Sequence, residues 1–197
     1  MLNKVLSIIF ALGFLIWNPY PLQIAELKTF DWLIMNTEPV QNENILVVDL
    51  DENFIQEYGG WPLPRTAYAD LLTTTNAIPG ITVLMPNTDI RDSRNDDILA
   101  LRMKYIPTVL ASAASTQVTS TGTHVGTAQL GEDPLPWLYQ YPGILQPTPS
   151  LAVSAEGKGV VTSSPELDGV TRRVPLVVNS QGKLYPSFGL ELLRVAI

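Results

Sequence analysis

Residues 45–65 read ILVVDLDENFIQEYGGWPLPR, and the prediction of the fold depends mainly on this stretch. Its first four residues are apolar and rich in β-branched side chains, and polar residues follow at once. That pattern predicts a strand that is buried on both faces and reaches the surface at its C-terminal end. Asp49 and Asp51 come at this end. Because side chains alternate along a strand, both acids are expected on the same side.

The segment after these acids predicts a rigid loop. Gly59 and Gly60 interrupt the chain, and WPLPR follows at residues 61–65. Its two prolines have no backbone N–H to donate, so the loop should be stiff and should hold Trp61 in place. Two interpretations of Trp61 and Arg65 stay open. Both are recognition residues, or Trp61 anchors the loop in a pocket and Arg65 pairs with an acid such as Asp49 or Asp51.

The rest of the chain alternates helical and strand patterns. A strand, a helix and a second strand within about 40 residues predict a parallel pair with a right-handed crossover. Two later runs that flank Asp168-Gly169 predict an antiparallel addition. The predicted fold class is therefore α/β, with a largely parallel central sheet, flanking helices and an antiparallel addition. The predicted helices cover residues 66–77, 96 or 97 to 104, and 188–197 (capped by Ser187), and the further strands cover 81–85, 108–113, 159–163 and 174–179.

The N-terminus predicts one transmembrane helix. Residues 5–25 carry no charged side chain, and Val5–Trp17 is strongly apolar. Thirteen helical residues span about 20 Å of a hydrocarbon core of about 30 Å, so flanking residues must contribute. Lys4 precedes the run and acids follow it, which places the N-terminus in the cytoplasm. Because no good cleavage site follows, an uncleaved signal anchor is favoured over a signal peptide. It is also favoured over a buried core helix, because the run is apolar on all faces and lies at the terminus.

Composition excludes several classes of function. The chain has 197 residues, a net charge of -7 and twelve scattered basic residues, which argues against nucleic acid as a partner. It has no cysteine and one histidine, His124, so thiolate and multi-histidine metal sites are excluded. No cofactor is expected.

Two groups of polar residues are candidate sites, and each has more than one interpretation. Asp49 and Asp51 resemble the acid pair of haloacid-dehalogenase-like phosphatases. Alternatively they bind loop amides and a helix N-terminus, or form a ligand or hard-cation site with Asp89. Asp168, Arg172 and Arg173 form either a binding loop with two guanidinium groups or a turn with Gly169 at positive φ.

Several motifs in this order resemble the CHASE2 domain. They are VDLDE at 48–52, GWPLPR at 60–65, Asp97 at the start of a Leu/Ala helix, DGVTRRVPL at 168–176 and YPSF at 185–188. The resemblance implies an extracytoplasmic sensor module behind one membrane helix, dimeric and joined to a cytoplasmic effector. Pro86-Asn87 departs from the apolar residue and Asp usual in the family. The family domain also continues further, so an incomplete domain is expected.

The sequence thus predicts a signal anchor at 1–25, a juxtamembrane helix and loop at 26–44, and a CHASE2-like extracytoplasmic domain at 45–197. The expected function is the non-enzymatic input domain of a bacterial receptor in the inner membrane, facing the periplasm or extracellular space. The alternatives are a structural or interaction protein of a surface assembly and, less favoured, a DxD phosphatase. Expected partners are the membrane, a second copy or higher oligomer, and a small-molecule or protein ligand. The candidate ligand-binding residues are Asp49, Asp51, Trp61, Arg65, Asp89, Asp168, Arg172 and Arg173.

Overall fold

The computed structural model describes residues 13–14, 16–39, 45–74, 81–83, 93–119 and 130–197. The chain divides into two compact units. The first contains the residues up to Val48 together with Pro165–Val170, and the second contains Asp49–Ser164 together with Thr171–Ile197. Each unit has its own internal contacts.

The first unit is organised by helix α1, Tyr20–Met35. A proline in its first turn suits a helix start, where the missing N–H costs nothing. No residue of α1 is buried, and Trp32 and Met35 are 63% and 84% exposed. Lys28 Nζ lies 3.2 Å from Asp168 Oδ2, which ties the 165–170 loop to the helix. The helix covers the segment predicted to be helical from Glu26 and begins earlier, at Tyr20.

Among the described helices, none combines the length and the apolar character that a bilayer crossing requires. Most of the predicted anchor's apolar segment, residues 5–17, lies outside the described residues. The anchor therefore stays a prediction.

Residues 45–48 do not form the predicted strand. They have no regular secondary structure, and their exposed fractions run from 49% at Val48 to 83% at Val47. A strand requires a hydrogen-bonded neighbour, and none of the described strands pairs with this run. Apolar β-branched composition favours a strand only when such a partner is present. The prediction of a strand buried on both faces is wrong.

Four helices of the second unit build its larger apolar core. Helices α2 (Glu52–Glu57), α3 (Arg65–Thr74), α4 (Ser93–Met103) and α5 (Pro149–Ser154) contribute side chains to it, together with Leu110. We call this core cluster 1. Helix α3 begins one residue before the predicted segment 66–77, of which residues 75–77 lie outside the described residues, and α4 begins three or four residues before its predicted start. The buried members of cluster 1 are Leu63, Ala67, Tyr68, Ala69, Leu72, Leu99, Ala100, Met103, Ile106, Leu110 and Leu151.

Two small mixed sheets replace the predicted, largely parallel one. In the first sheet, β2 pairs in parallel with β1 and β5, while its last three residues pair antiparallel with β4. In the second, β6 lies between β3, which is parallel, and β7, which is antiparallel. The prediction failed because β2 is long enough to take a different neighbour at each end. The strands are β1 Ile81–Val83, β2 Thr108–Ser115, β3 Gln140–Tyr141, β4 Gly143–Leu145, β5 Gly157–Val160, β6 Val177–Ser180 and β7 Lys183–Pro186.

The predicted antiparallel pair between 159–163 and 174–179 is also wrong. Strand β5 pairs with β2, and β6 pairs with β7 across a two-residue turn at Gln181-Gly182. Both turn residues have positive φ, 52° and 75°, as a tight hairpin turn between twisted strands requires. This turn, rather than Asp168-Gly169, determines the register of the antiparallel pair.

The two sheets meet at two places, and their strands form a ring. Val160 of β5 makes a parallel bridge to Ser187, directly after β7. At the other side, Pro142 alone separates β3 from β4. Neighbours therefore run from β2 through β5, β7, β6, β3 and β4 back to β2. We call this arrangement the strand ring. It encloses cluster 2, which consists of Ile144, Val160, Val178 and Tyr185, with Ala114 and Tyr141 packed against them.

The last helix, α6 (Phe188–Ala196), lies on β5 and β2. The Ser187 side chain accepts a hydrogen bond of 3.3 Å from the Leu190 N–H, which confirms the predicted N-cap. The helix start approaches β5 at Gly159, where an added Cβ would overlap the Cα of Phe188 and lie 2.8 Å from its amide nitrogen. Glycine is therefore required there by space, because the two backbones are in direct contact.

We expect Gly159→Ala to lower the free energy of unfolding by about 1–3 kcal/mol, because the methyl group must displace the start of α6. Gly189→Ala is the matched control, since nothing lies within 4 Å of its added Cβ. In a helix that change should raise stability by up to about 1 kcal/mol. Urea unfolding of the two variants measures both. Equal effects at the two positions would contradict the close backbone contact.

Candidate functional site

The two acids of the D-x-D motif have different surroundings. Asp51 is the N-cap of α2, and its Oδ1 accepts a hydrogen bond of 2.8 Å from the Phe54 N–H. This contact satisfies one of the free amides at the helix start. Asp49 lies two residues earlier and is exposed. The interpretation that these acids serve a helix N-terminus is confirmed for Asp51.

Trp61 is not the anchor of the WPLPR loop. Its side chain is 58% exposed, whereas that of Leu63 is 6% exposed and belongs to cluster 1. The Trp61–Pro62 peptide bond is cis. Gly59 and Gly60, with φ of 89° and 105°, supply the left-handed turn that leads into the loop. The hypothesis that Trp61 fills a pocket is wrong, and its use in recognition stays a prediction.

Arg65 forms a buried ion pair, but with a different acid from those expected. Its Nε donates to Asp96 Oδ1 at 2.8 Å, and the two residues are 7% and 3% exposed. Pairing with Asp49 or Asp51 is thus wrong. Arg65 begins α3, where the helix dipole disfavours a cation, and Asp96 lies in the first turn of α4, where the dipole favours an anion. The pair therefore joins the starts of two helices and neutralises a charge that could not be buried alone.

Asp168 serves a turn in the first unit. It accepts the Val170 N–H at 3.2 Å and pairs with Lys28, while Gly169 has φ of 80°. The interpretation of this loop as a turn with Gly169 at positive φ is confirmed. In the second unit, Arg172 is half-buried and Arg173 is exposed. The binding role of these three residues stays a prediction.

The cation-site interpretation depends on Asp89, and Asp89 lies outside the described residues. Within the described ranges, no three acids, histidines or cysteines come together as a possible metal site. In the same ranges, Asp51 and Arg65 form local structural contacts with other residues. These contacts hold the starts of α2, α3 and α4 in place.

Sequence reasoning missed one buried charge, Glu191. It is 1% exposed and accepts from Arg194 through Nε and Nη2, both at 2.9 Å, and from the Lys158 N–H at 3.3 Å. Arg194 Nη2 also donates to the Glu156 carbonyl at 3.1 Å. At Gly157 an added Cβ would overlap Glu191 Oε1, so the carboxylate occupies the space of a missing side chain. The available signal was an acid set among leucines at 190, 192 and 193.

This network changes the pKa of two basic groups. The hydrogen bond to Glu191 raises the pKa of Arg194, more than the partial burial of the guanidinium lowers it. Burial lowers the pKa of Lys158, and the nearby charge of Glu191 partly opposes that effect. Arg194 is therefore charged at neutral pH, and its charge compensates that of the buried carboxylate.

These features define a mixed α/β domain in which a WPLPR loop leads into a buried Arg–Asp pair. The chain belongs to the CHASE2 domain family, which matches residues 6–197. This confirms the resemblance found in the motifs. CHASE2 is a family of sensor domains that typically occur in signalling receptors. No curated protein and no solved structure matches the chain.

We expect Trp61→Ala to change the free energy of unfolding by no more than about 0.5 kcal/mol, because most of the side chain is already in water. Leu63→Ala, in the same loop, should cost about 2–5 kcal/mol because Leu63 is part of cluster 1. Thermal and urea unfolding of both variants measure the difference. A large loss from Trp61→Ala would restore the pocket interpretation.

We expect Asp96→Asn to cost about 3–5 kcal/mol, because it removes one partner of a buried ion pair. Asp97→Asn is the neighbouring control. Asp97 is exposed on the same helix, so its loss should cost less than about 0.5 kcal/mol. Urea midpoints at neutral pH compare the two. Similar costs would show that helix charge, and not the pair with Arg65, is what Asp96 contributes.

Proposed function

We propose that the chain is the membrane-anchored, extracytoplasmic input domain of a bacterial signalling receptor. In this role it relays a ligand or an assembly state to a cytoplasmic effector. The observation that carries the proposal is the family match over residues 6–197, because it covers nearly the whole chain and the family consists of sensor domains. The domain itself performs no catalysis in this proposal and requires no cofactor.

Attachment to the inner membrane is supported by the N-terminal sequence and by α1. Lys4 precedes an uncharged stretch that ends at residue 25, which favours a cytoplasmic N-terminus. Helix α1 buries none of its residues, so its apolar side chains are available to lipid or to a second protein surface. The proposed location of the domain is the periplasm or the extracellular space, and the proposed partners are the membrane and a second copy of the chain.

The ligand in this proposal is a small molecule or a protein, and the candidate surface for it includes exposed residues of the family motifs. Asp49, Trp61 and Arg173 are exposed in the second unit, and an aromatic face and mixed charges suit recognition. Asp51 and Arg65 are weaker candidates than the sequence suggested, because helix starts already use them. Asp89, Asp168 and Arg172 stay in the candidate set.

A second candidate function is supported by a separate observation. Residues 45–48 and the Leu193 side chain of α6 expose apolar surface, with fractions of 49–83% in the run 45–48 and 57% at Leu193. Surface of this kind suits a protein that acts by assembly with other proteins. In that case the chain would be a non-enzymatic interaction protein of a membrane or surface assembly.

The proposed topology is tested by cysteine labelling, which is clean because the chain has no cysteine of its own. Glu132→Cys places a thiol at an exposed position of the domain, and Asn3→Cys places one before the apolar run. In intact cells a membrane-impermeant maleimide should label Glu132→Cys and spare Asn3→Cys, and lysis should make both reactive. If Glu132→Cys reacts only after lysis, the domain lies in the cytoplasm and the proposed location is wrong.

A further inference from the structure

Two buried serines face the interior of the strand ring. Ser112 and Ser180 are 4% and 1% exposed. Ser112 is the register partner of Val160, and Ser180 is the register partner of Tyr141 and lies two residues after Val178. Register partners, and residues two apart along a strand, share a face of the sheet. Because Val160, Val178 and Tyr141 pack in cluster 2, both hydroxyls lie on the cluster's side of the sheets.

Neither hydroxyl has a hydrogen-bond partner in the described part of the chain. A buried hydroxyl without a partner is costly, and nearly all such groups in folded proteins are satisfied by the chain, by water or by a ligand. Two such hydroxyls beside the same apolar cluster indicate that the interior of the strand ring binds a molecule from outside the chain. The neighbouring phenol of Tyr185 stays neutral there, because burial raises its pKa.

We propose that the interior of the strand ring is a binding site for a small uncharged molecule with a short apolar part and a hydroxyl or amide group. The apolar part contacts Ile144, Val160 and Val178, and the polar group bonds the hydroxyls of Ser112 and Ser180. The ligand is uncharged because the described members of cluster 2 carry no charge to pair with an ion, and an unpaired buried ion is unstable. The site rests on the proposed function and deepens it by naming the class of a small-molecule ligand, which is bound by residues other than the exposed Asp49, Trp61 and Arg173.

A lysine close to one of the two serines means that the test must compare ligands of different charge. Lys183 is the register partner of Ser180 and is half-buried at the end of the β6–β7 hairpin. A small anion could pair with it, whereas a neutral molecule gains nothing from it. The discriminating probes are therefore molecules of equal size and different charge.

The test uses the full chain in lipid nanodiscs and four probes: 1-propanol, propionamide, propionate and propylammonium. The methyl NMR signals of Ile144, Val160 and Val178 report on the ring interior. We expect the two neutral probes to shift these signals with saturation in the millimolar range, and the two ions to leave them unchanged. Shifts that stay absent or never saturate with the neutral probes would mean that the hydroxyls hold water only, and would overturn the proposal. Stronger binding of propionate would overturn the assigned ligand class.

Ser112→Ala and Ser180→Ala test which atoms hold the probe. Each variant should weaken neutral-probe binding by about fivefold to tenfold, since one hydrogen bond is lost. Each should also raise the melting temperature of the free protein, because it removes a buried group without a partner. Ser150→Ala, at an exposed serine of α5, is the control and should change neither quantity. Unchanged binding in both ring variants, or a lowered melting temperature, would contradict the proposal.

None of these measurements depends on the membrane topology. A negative result with the probes would therefore leave the receptor proposal intact, and a negative labelling experiment would leave the proposed binding site intact.

Discussion

Strand β2 is the constraint on which the second unit depends. It is hydrogen-bonded to β1, β5 and β4, so each part of its length has a strand beside it. One of its faces carries Leu110, which belongs to cluster 1, and Ala114, which packs against cluster 2. Its other face carries the register partners of Gly157 and Gly159, the two glycines that α6 approaches. A shift of one residue in the pairing of β2 would exchange these two faces. The packing of both clusters and the contact surface for α6 would then be lost together.

Several residues of the motifs that identify the family make structural contacts within the domain. Asp51 caps α2, Leu63 enters cluster 1, and Arg65 is neutralised by Asp96. A buried ion pair adds little net stability compared with an apolar pair of the same shape, but it penalises every arrangement that separates its two charges. The Arg65–Asp96 pair therefore favours one placement of α3 against α4. These three motif residues therefore identify the fold, whereas the exposed motif residues Asp49, Trp61 and Arg173 stay candidates for ligand binding.

Local sequence signals predicted local structure well. The Ser187 cap, the turn at Gly169 and the helices α3 and α4 depend on chemistry within a few residues, and they were found where the sequence places them. The partners of strands and charges were not predictable in this way. Residues 45–48 have strand composition, but none of the described strands pairs with them. The sequence offered several acids as possible partners of Arg65 and did not single out Asp96. Those outcomes depend on which distant segments pack together, and a single sequence contains that information only indirectly.

The buried polar groups of the second unit fall into two kinds, and the contrast between them bears on function. Glu191 is surrounded by donors from Arg194 and from the backbone of β5, and Gly157 leaves it the space it needs. The chain thus satisfies a carboxylate, the most demanding group to bury, with its own atoms. It leaves Ser112 and Ser180 without a partner among the described residues, although a hydroxyl is much easier to satisfy or to replace by alanine. The domain thus satisfies the buried Glu191 carboxylate but keeps two buried hydroxyls whose lack of a partner lowers its stability. Such a loss of stability is typical of sites at which a protein binds another molecule.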